Sequence, residues 1–323
     1  MITSRKTSPR KRALLATLFT AASLLLAGTA LAETTVRIGF QKSSTLITLL
    51  RSQGTLEKVL NEQGVKVSWH EFPNGLPLLE SLNVGNVDFS ADVADTVPVF
   101  AQAAGARLVY VAQEAPSPTA QAVLVQDQSA ITNVADLKGK RVAVVKGSGG
   151  HYLLVRALQQ AGLSFADIRP SYLTPADGRA AFENGNVDAW VVWEPFLSSA
   201  RTQLQTRTLI DGRDGLADYQ RYYLSSVAFA EKHPEVVQTL FEELRKGGEW
   251  LRANPQEGAE ILAPLWGGLD PKIVEVGNGN RSYEVRLVQR DSLAEQQRIA
   301  DAFHAEGLLP VQVDAADVDI WAP

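Results

Sequence analysis

The chain has 323 residues, a formal net charge of −5 and no cysteine. The length allows one large domain or two medium ones. The acidic balance disfavours nucleic acid and anionic membrane surfaces as partners. The lack of cysteine excludes disulfides, thiolate catalysis and thiolate metal sites.

The first 32 residues have the pattern of a cleavable export signal. Five basic residues between positions 5 and 12 precede an uncharged apolar run from Ala13 to Gly28, and Ala30-Leu31-Ala32 has the small-x-small form of a cleavage site. The run is short for a membrane-spanning helix. Cleavage after Ala32 would change the net charge to −10, because five basic and no acidic residues are removed. We therefore expect residues 1–32 to direct export and then to be removed.

Strand and helix signals alternate along the next part of the chain. Apolar runs predict strands at Val36–Phe40, Val65–Phe72 and Arg107–Gln113, and helical spacing predicts helices at Gly75–Val84 and Thr96–Ala104. This alternation is typical of a largely parallel sheet covered by helices, which is an α/β fold.

A second set of elements repeats the order of the first. The predicted elements are a strand at Arg141–Val145, a helix ending near Ala161, a strand at Ile168–Leu173 and a helix at Pro175–Asn184. The tetrapeptide Gly-Asn-Val-Asp occurs at residues 85–88 and 185–188, each time after a helix, where glycine supplies a left-handed cap. A chance tetrapeptide would not also align five flanking elements. The repeat predicts two similar lobes with a cleft between them.

Two segments are predicted to connect the lobes. The proline-rich stretch Ala115–Thr119 precedes a short strand at Gln121–Val125, and the turn Asp211–Gly215 precedes a strand at Tyr222–Phe229. Lobe one is then 33–121 with 216–323, and lobe two is 122–215. In the tail, a helix beginning at His233 is expected to be interrupted or loosened at Gly247-Gly248, and the further helical stretches 255–262 and 287–306 are expected to pack on lobe one.

Four loops are predicted to meet beyond the carboxyl ends of the strands, where parallel sheets bind ligands. They are Gln41–Ser44, Asp92–Thr96, Gly147–His151 and the segment 193–195. Three are rich in small residues and lead into a helix, whose first N–H groups and partial positive charge favour an anion. A tight turn between strand and helix is the alternative for any one loop. Together they predict an anion-binding cleft.

Several side chains in these loops have more than one interpretation. Trp193 is either a wall for an apolar ligand tail or a core residue at the cleft edge. We interpret Asp95 as an N-cap. Asp92 and Glu194 could hydrogen-bond backbone amides, order water or bind the cationic part of a zwitterionic ligand. The four histidines are far apart, and the sequence contains no nucleophile elbow, Walker loop or metalloprotease motif. We expect neither catalysis nor a cofactor.

The chain resembles the aliphatic sulfonate-binding proteins of ABC importers, a branch of the nitrate, sulfonate, taurine and thiamine-precursor binding superfamily. The resemblance runs from about Val36 to the C-terminus. It is carried by Ile38-Gly-Phe-Gln-Lys-Ser43, the segments 98–105 and 136–140, Val142–Gly147 leading to His151-Tyr-Leu-Leu154, Val187-Asp-Ala-Trp190, Trp193-Glu-Pro-Phe196 and Arg281-Ser-Tyr283.

The resemblance implies a monomeric periplasmic binding protein with two lobes and two crossovers (type II), which captures an aliphatic sulfonate in the inter-lobe cleft and delivers it to an inner-membrane permease. Arg281 is a candidate ligand contact with a surface salt bridge as its alternative. The full set of candidate ligand-binding residues is Gln41, Ser43, Ser44, Asp92, Val93, Ala94, Ser148, Gly149, Gly150, Trp193, Glu194 and Arg281.

Two ligand loops depart from the family pattern, and this leaves the ligand's identity open. The chain has Ala94-Asp-Thr-Val-Pro98 where many members have Gly-Asp/Glu-x-Pro-Pro, and Ser148-Gly-Gly150 where many have Gly-Ser-Asn/Thr. Taurine, nitrate or a pyrimidine is an alternative ligand with the same mechanism. A thiamine-pyrimidine synthase-like enzyme is the alternative of a different class, and the export signal argues against it.

Overall fold

A computed structural model describes residues 34–323; the predicted export signal lies outside the described residues. The strands are β1 Thr34–Gln41, β2 Val65–Phe72, β3 Phe89–Ala94, β4 Leu108–Glu114, β5 Gln121–Gln126, β6 Arg141–Val144, β7 Arg169–Tyr172, β8 Ala189–Trp193, β9 Thr206–Asp211, β10 Arg221–Ser226, β11 Val285–Leu287 and β12 Asp319–Ile320. The helices are α1 Thr45–Gln53, α2 Thr55–Glu62, α3 Gly75–Asn83, α4 Thr96–Ala103, α5 Gly149–Gln160, α6 Pro175–Glu183, α7 Phe196–Gln203, α8 Val227–Lys232, α9 Pro234–Ala253, α10 Pro255–Leu265, α11 Pro271–Gly279 and α12 Ala294–Ala305. Within residues 34–323, no helix is long and apolar enough to cross a membrane.

The strands form two sheets with one shared plan. The first sheet has the order β11-β4-β10-β3-β1-β2, with β12 beside β4, and the second has the order β7-β6-β8-β5-β9. In each sheet the repeated strands pair in parallel, β1 with β3 and β6 with β8. Beside them lies one antiparallel strand, β10 or β5, by which the chain has crossed from the other sheet. The two-lobe α/β architecture expected from the repeat is therefore present.

The repeated tetrapeptide occupies the same structural position in both lobes. Gly85 and Gly185 have φ angles of 75° and 68°, the left-handed conformation expected after a helix. Asp88 then accepts hydrogen bonds from the backbone N–H and the guanidinium of Arg37, while Asp188 accepts the same set from the arginine at 141. The motif thus joins the first and third strands of each unit at the ends remote from the inter-lobe cleft.

The chain passes between the sheets at the two predicted places, between β4 and β5 and between β9 and β10. The two connecting segments contact each other through the Ser117 N–H, which donates to the Asp218 carbonyl at 2.9 Å. The residue bounds of the lobes stay our proposal. One predicted strand was wrong in its second half, because Val227–Phe229 begin α8, with the Ser226 hydroxyl as the N-cap.

The C-terminal region differs from expectation in two ways. Helix α9 is continuous through Gly247 and Gly248, since these glycines allow close packing rather than breaking the helix. A Cβ at Gly248 would lie 2.2 Å from the Tyr283 carbonyl oxygen. Helix α12 does not pack on lobe one alone. It lies between α4 and α5, and its Ile299 and Phe303 enter the core of lobe two.

Candidate ligand-binding cleft

A small cavity of about 20 Å³ lies between the two lobes and opens to solvent. It is bordered by the starts of helices α3, α4 and α5 and by the segment that returns from lobe two. The lining residues are Gln41, Asn74, Gly75, Leu76, Ala94, Val97, Val145, Lys146, Gly147, Ser148, Gly149, Trp193, Tyr219 and Arg221. Five of the twelve candidate site residues, Gln41, Ala94, Ser148, Gly149 and Trp193, are in this set.

The start of α5 is shaped by small residues. Gly147 has a φ of 71°, and the Ser148 hydroxyl donates to the Val145 carbonyl (2.7 Å) while accepting from the His151 N–H (3.2 Å). Ser148 is therefore the N-cap of the helix, and its hydroxyl proton is engaged within its own loop. A Cβ on Gly149 would lie 2.4 Å from the Tyr219 ring, so only glycine fits there. Gly150 faces Val191 inside lobe two rather than the cavity.

Gln41 borders the cavity, and the two serines after it lie behind it. The Gln41 side chain donates to the Asp92 carbonyl at 2.9 Å, and its backbone N–H donates to the Ser44 hydroxyl at 3.1 Å. Ser43 is buried and accepts a 3.3 Å hydrogen bond from the indole N–H of Trp193 across the cleft. Trp193 thus lines the cavity, but it uses its N–H to join the lobes.

Arg281 lies away from the cavity in a buried ion network. Its Nη2 contacts the Glu114 carboxylate at 2.7 Å and Asp92 Oδ2 at 3.1 Å, and its Nη1 donates to Thr45. Burial opposes the positive charge, but the Glu114 and Asp92 carboxylates outweigh it, so the pKa of Arg281 is raised well above its usual value. The surface salt bridge considered as its alternative is absent as well, because this network is buried.

The same network reaches the cavity through Arg221. Its Nη2 contacts Asp92 Oδ2 at 2.5 Å, and its Nη1 donates to the Tyr219 hydroxyl at 2.7 Å. The Asp92 carboxylate is therefore held between two arginines and does not border the cavity. Val93, next to it in β3, lies in the core beneath.

Glu194 is also directed away from the cavity. Its carboxylate accepts from the Ser198 N–H (3.0 Å) and hydroxyl (2.9 Å) and from the Asn280 side chain of lobe one (2.8 Å). Burial raises its pKa despite these hydrogen bonds. Of the roles left open for Asp92 and Glu194, the geometry favours pairing with protein groups over binding a ligand's ammonium.

The interpretation of Asp95 as an N-cap is confirmed. Its carboxylate accepts from the Thr96 N–H at 3.0 Å and from the Gln220 N–H at 2.9 Å. Complete burial and the nearby Glu295 carboxylate raise its pKa to about 7. The Thr96 hydroxyl donates to the Gly147 carbonyl at 2.7 Å, so this helix start also joins the two lobes.

Sequence analysis missed the lining residues from α3 and from the returning segment. Asn74 caps α3 by accepting from the Leu76 N–H, a pattern that a search for N-caps could have found. Tyr219 has a φ of 52°, which nothing in the sequence indicates, and Arg221 is the first residue of a strand. Contact of any of these residues with a ligand stays a prediction.

Among residues 34–323 no cluster of His, Asp or Glu could hold a metal ion. His151 is buried among the rings of Phe100, Phe165, Tyr172 and Phe303. Burial, with a smaller contribution from Lys146, lowers its pKa to about 3, so it is neutral. Its Nδ1 accepts from the Gly147 N–H, and it does not border the cavity.

The comparisons with known proteins agree with one another. A family model described as NMT1/THI5 like matches residues 60–258. A protein of Escherichia coli (strain K12) that carries the name aliphatic sulfonates-binding protein is 43% identical over 288 residues, which is 89% of each chain. The alkanesulfonate-binding protein SsuA of Xanthomonas axonopodis pv. citri, solved bound to MOPS, has a TM-score of 0.84 at 39% identity and covers 89% of this chain and 98% of its own. The periplasmic aliphatic sulphonate-binding protein SsuA of E. coli has a TM-score of 0.78 at 42% identity and covers 87% of this chain and 96% of its own.

Proposed function

From the premise that this chain belongs to the NMT1/THI5-like family and to its aliphatic sulfonate-binding branch, we propose that it is the periplasmic substrate-binding component of an ABC importer. It captures an aliphatic sulfonate between its lobes and presents it to an inner-membrane permease as a monomer. No reaction occurs on this chain, and another subunit of the importer hydrolyses ATP.

The observation that carries the proposal is the chemistry of the cavity lining. The starts of α3, α4 and α5 border the cavity, Arg221 and Lys146 are its charged lining residues, and none of the lining residues is a carboxylate. Such a lining favours an anion. Leu76, Val97 and Trp193 form an apolar wall suited to a hydrocarbon tail. An anionic head with an aliphatic tail matches both parts.

The same lining argues against the alternative ligands. Taurine carries an ammonium group, and the carboxylates once considered for it, Asp92 and Glu194, are engaged elsewhere. Nitrate has no tail to cover the apolar wall. A thiamine-pyrimidine synthase-like enzyme, which would use a histidine of its own active site, is disfavoured. His151 is enclosed by aromatic rings and does not line the cavity.

Capture by closure follows from how the lining is divided. Ser148, Gly149 and Trp193 come from lobe two, whereas Gln41, Ala94 and Arg221 come from the sheet of lobe one. A ligand in the cavity contacts both lobes at once, so its binding energy favours the arrangement in which they meet. The hydrogen bonds from Trp193 to Ser43 and from Thr96 to Gly147 join the lobes directly.

Isothermal titration calorimetry of the protein in Tris buffer, which contains no sulfonate, tests the proposal. We expect saturable binding of octanesulfonate and at least tenfold weaker binding of taurine, sulfate and nitrate. Tighter binding of taurine than of octanesulfonate, or binding of neither, would overturn it. The Trp193→Ala variant, titrated with methanesulfonate and with octanesulfonate, supplies an internal control. Because the variant lacks part of the apolar wall, its affinity should fall only for octanesulfonate, by roughly tenfold or more.

A further inference from the structure

One contact between the lobes lies outside the cavity, at the segment that follows β8. Glu194 is 4% exposed, and its carboxylate accepts a 2.8 Å hydrogen bond from the side-chain amide of Asn280. Its other side-chain hydrogen bonds come from the backbone N–H and the hydroxyl of Ser198, in the first turn of α7. Neither Glu194 nor Asn280 is among the residues that line the cavity. The pair therefore joins the lobes without bordering the place where a ligand would lie.

Two helices from different cores bring this pair together. Helix α11 contributes Val274 to the core that contains β1 and α1, whereas α7 contributes Leu197 to the core around β5 and β8. The two helices pack on each other, and a Cβ on Gly277 would lie 3.0 Å from Glu194 Oε2. Glycine thus lets α11 approach the carboxylate closely. A motion that separates the two helices breaks the contact.

The backbone around Asn280 is anchored to lobe one and to the first connecting segment. The Asn280 carbonyl accepts from the Thr119 hydroxyl at 3.4 Å, and the Ser282 hydroxyl donates to the Ala115 carbonyl at 2.7 Å. Between these two residues, Arg281 is held in the buried ion network of lobe one. The Asn280 amide is therefore attached to a segment that needs no further ordering when the lobes meet, and this limits the entropy cost of the contact.

The energy of the contact belongs to the closed arrangement, in which the lobes meet. Burial raises the pKa of Glu194 despite its hydrogen bonds, so its carboxylate is stabilised by each donor that it keeps. Asn280 supplies one of these donors only while α11 lies against α7. The measured affinity of a ligand rises with the fraction of protein in the arrangement that binds it. A contact specific to the closed arrangement therefore raises the affinity.

We propose that Asn280 and Glu194 form an inter-lobe latch, which strengthens sulfonate binding by stabilising the closed arrangement without touching the ligand. The latch rests on the proposed function and goes beyond it, because it assigns part of the affinity to two residues outside the cavity. Since the latch does not meet the ligand, it contributes the same factor for a short sulfonate and a long one. Trp193, which lines the cavity, should instead matter mainly for a long tail.

The chain offers a matched control and a reciprocal pair of substitutions. Asn278 lies two residues earlier, and its side chain accepts from the Tyr283 hydroxyl inside lobe one at 2.8 Å. Asn278→Ala and Asn280→Ala thus remove the same amide from one segment, but only the second breaks a contact between the lobes. Asn280→Asp places a second carboxylate opposite that of Glu194. Combined with Glu194→Gln, it restores one carboxylate and one amide, with donor and acceptor exchanged.

The test is calorimetric titration of each protein with methanesulfonate and with octanesulfonate in Tris buffer, with thermal melting of the ligand-free proteins. Asn280→Ala should weaken both sulfonates by the same factor, about tenfold, the effect of one hydrogen bond to a charged group. Asn280→Asp should bind both still more weakly, and the double variant should recover to within about fivefold of wild type. Asn278→Ala should lower the melting temperature and leave both affinities within about twofold of wild type.

The outcomes separate the latch from the proposed function. Wild-type affinity in Asn280→Ala overturns the latch and leaves the proposed function standing. A loss confined to octanesulfonate overturns the latch too, because Asn280 would then act on the ligand's tail. So does an equal loss in Asn278→Ala, which is a general effect on the segment, or a double variant no better than Asn280→Asp. A wild-type protein that binds no sulfonate overturns both proposals.

Discussion

The two copies of the repeated unit agree at one end of their strands and differ at the other. Away from the cleft, Asp88 with Arg37 and Asp188 with Arg141 make the same set of hydrogen bonds. At the cleft the corresponding helix starts diverge. The Ser148 hydroxyl caps α5, whereas the Ser44 hydroxyl accepts from the Gln41 N–H and makes no cap hydrogen bond to α1.

The lobes also bring different chemistry to the cavity. The sheet of lobe one contributes Arg221 and the ion network behind it, while lobe two contributes the glycine-rich start of α5 and the Trp193 ring. The strand ends remote from the cleft have the same Asp–Arg hydrogen bonds in both units. The ends that border the cavity differ, since lobe one contributes Arg221 with its buried ion network and lobe two contributes a helix start, Lys146 and an aromatic ring.

The largest expected effect comes from removing an arginine of the buried ion network in lobe one. Arg281→Met should destabilise the protein by about 3–5 kcal/mol, because it removes the arginine that pairs with the fully buried Glu114 and one of the two that pair with Asp92. Urea unfolding measures the loss. Arg37→Met at the remote end should cost much less, since that arginine is 40% exposed. Unchanged stability combined with a large loss of sulfonate affinity would instead place Arg281 at the ligand.

A smaller effect is expected at the two Asp–Arg pairs remote from the cleft. Asp88→Asn should cost about 1–3 kcal/mol, because a carboxylate that accepts from three N–H groups of Arg37 is replaced by a neutral amide. Asp188→Asn should cost less, since its side chain is 30% exposed against 10% for Asp88. Neither variant should change octanesulfonate affinity by more than twofold. A selective loss of affinity in one of them would show that the strand ends remote from the cleft also affect ligand binding.

The smallest effect concerns the cap at the cleft edge of lobe one. The folded-state pKa of Asp95, about 7, lies above its unfolded value, so the folded protein retains a proton that the unfolded chain has released, and stability falls as pH rises toward and through 7. Between pH 6.5 and 8 we expect a loss of about 1 kcal/mol from this group.

Urea unfolding of wild type and Asp95→Asn at these two pH values measures that contribution. The lowered pKa of His151 acts in the opposite direction, with stability lost as pH falls below about 6.5, and it cancels in the difference because both proteins contain it. Equal pH dependence in the two proteins would show that Asp95 is ionised throughout this range.

Local patterns in the chain were sufficient to predict most elements of the fold. Periodicity identified the strands at 65–72 and 141–144, and the left-handed glycines and the Asp95 cap need only their immediate neighbours. The errors arose where distant contacts override local preference. Gly248 was predicted to interrupt a helix, but it lies inside α9. A glycine is needed there because the Tyr283 carbonyl occupies the space of a side chain. Helix α12 was recognised as helical, yet its packing on lobe two depends on a surface that forms only when α4 and α5 meet.

Periodicity, helix caps and a repeat are visible along the chain, so the order of the amino acids alone indicates two α/β lobes and a cleft bordered by helix starts. The ligand class came from the resemblance to a known family. Which charges reach the cavity depends on the folded chain. Asp92 and Glu194 were candidates by their predicted place in loops and Arg281 by the resemblance, and the fold turns all three toward protein partners. Arg221 begins an ordinary strand, and it joins the cavity lining only when residues far apart in sequence are brought together. Electrostatic pairing and burial act through space, and no spacing along the chain encodes them.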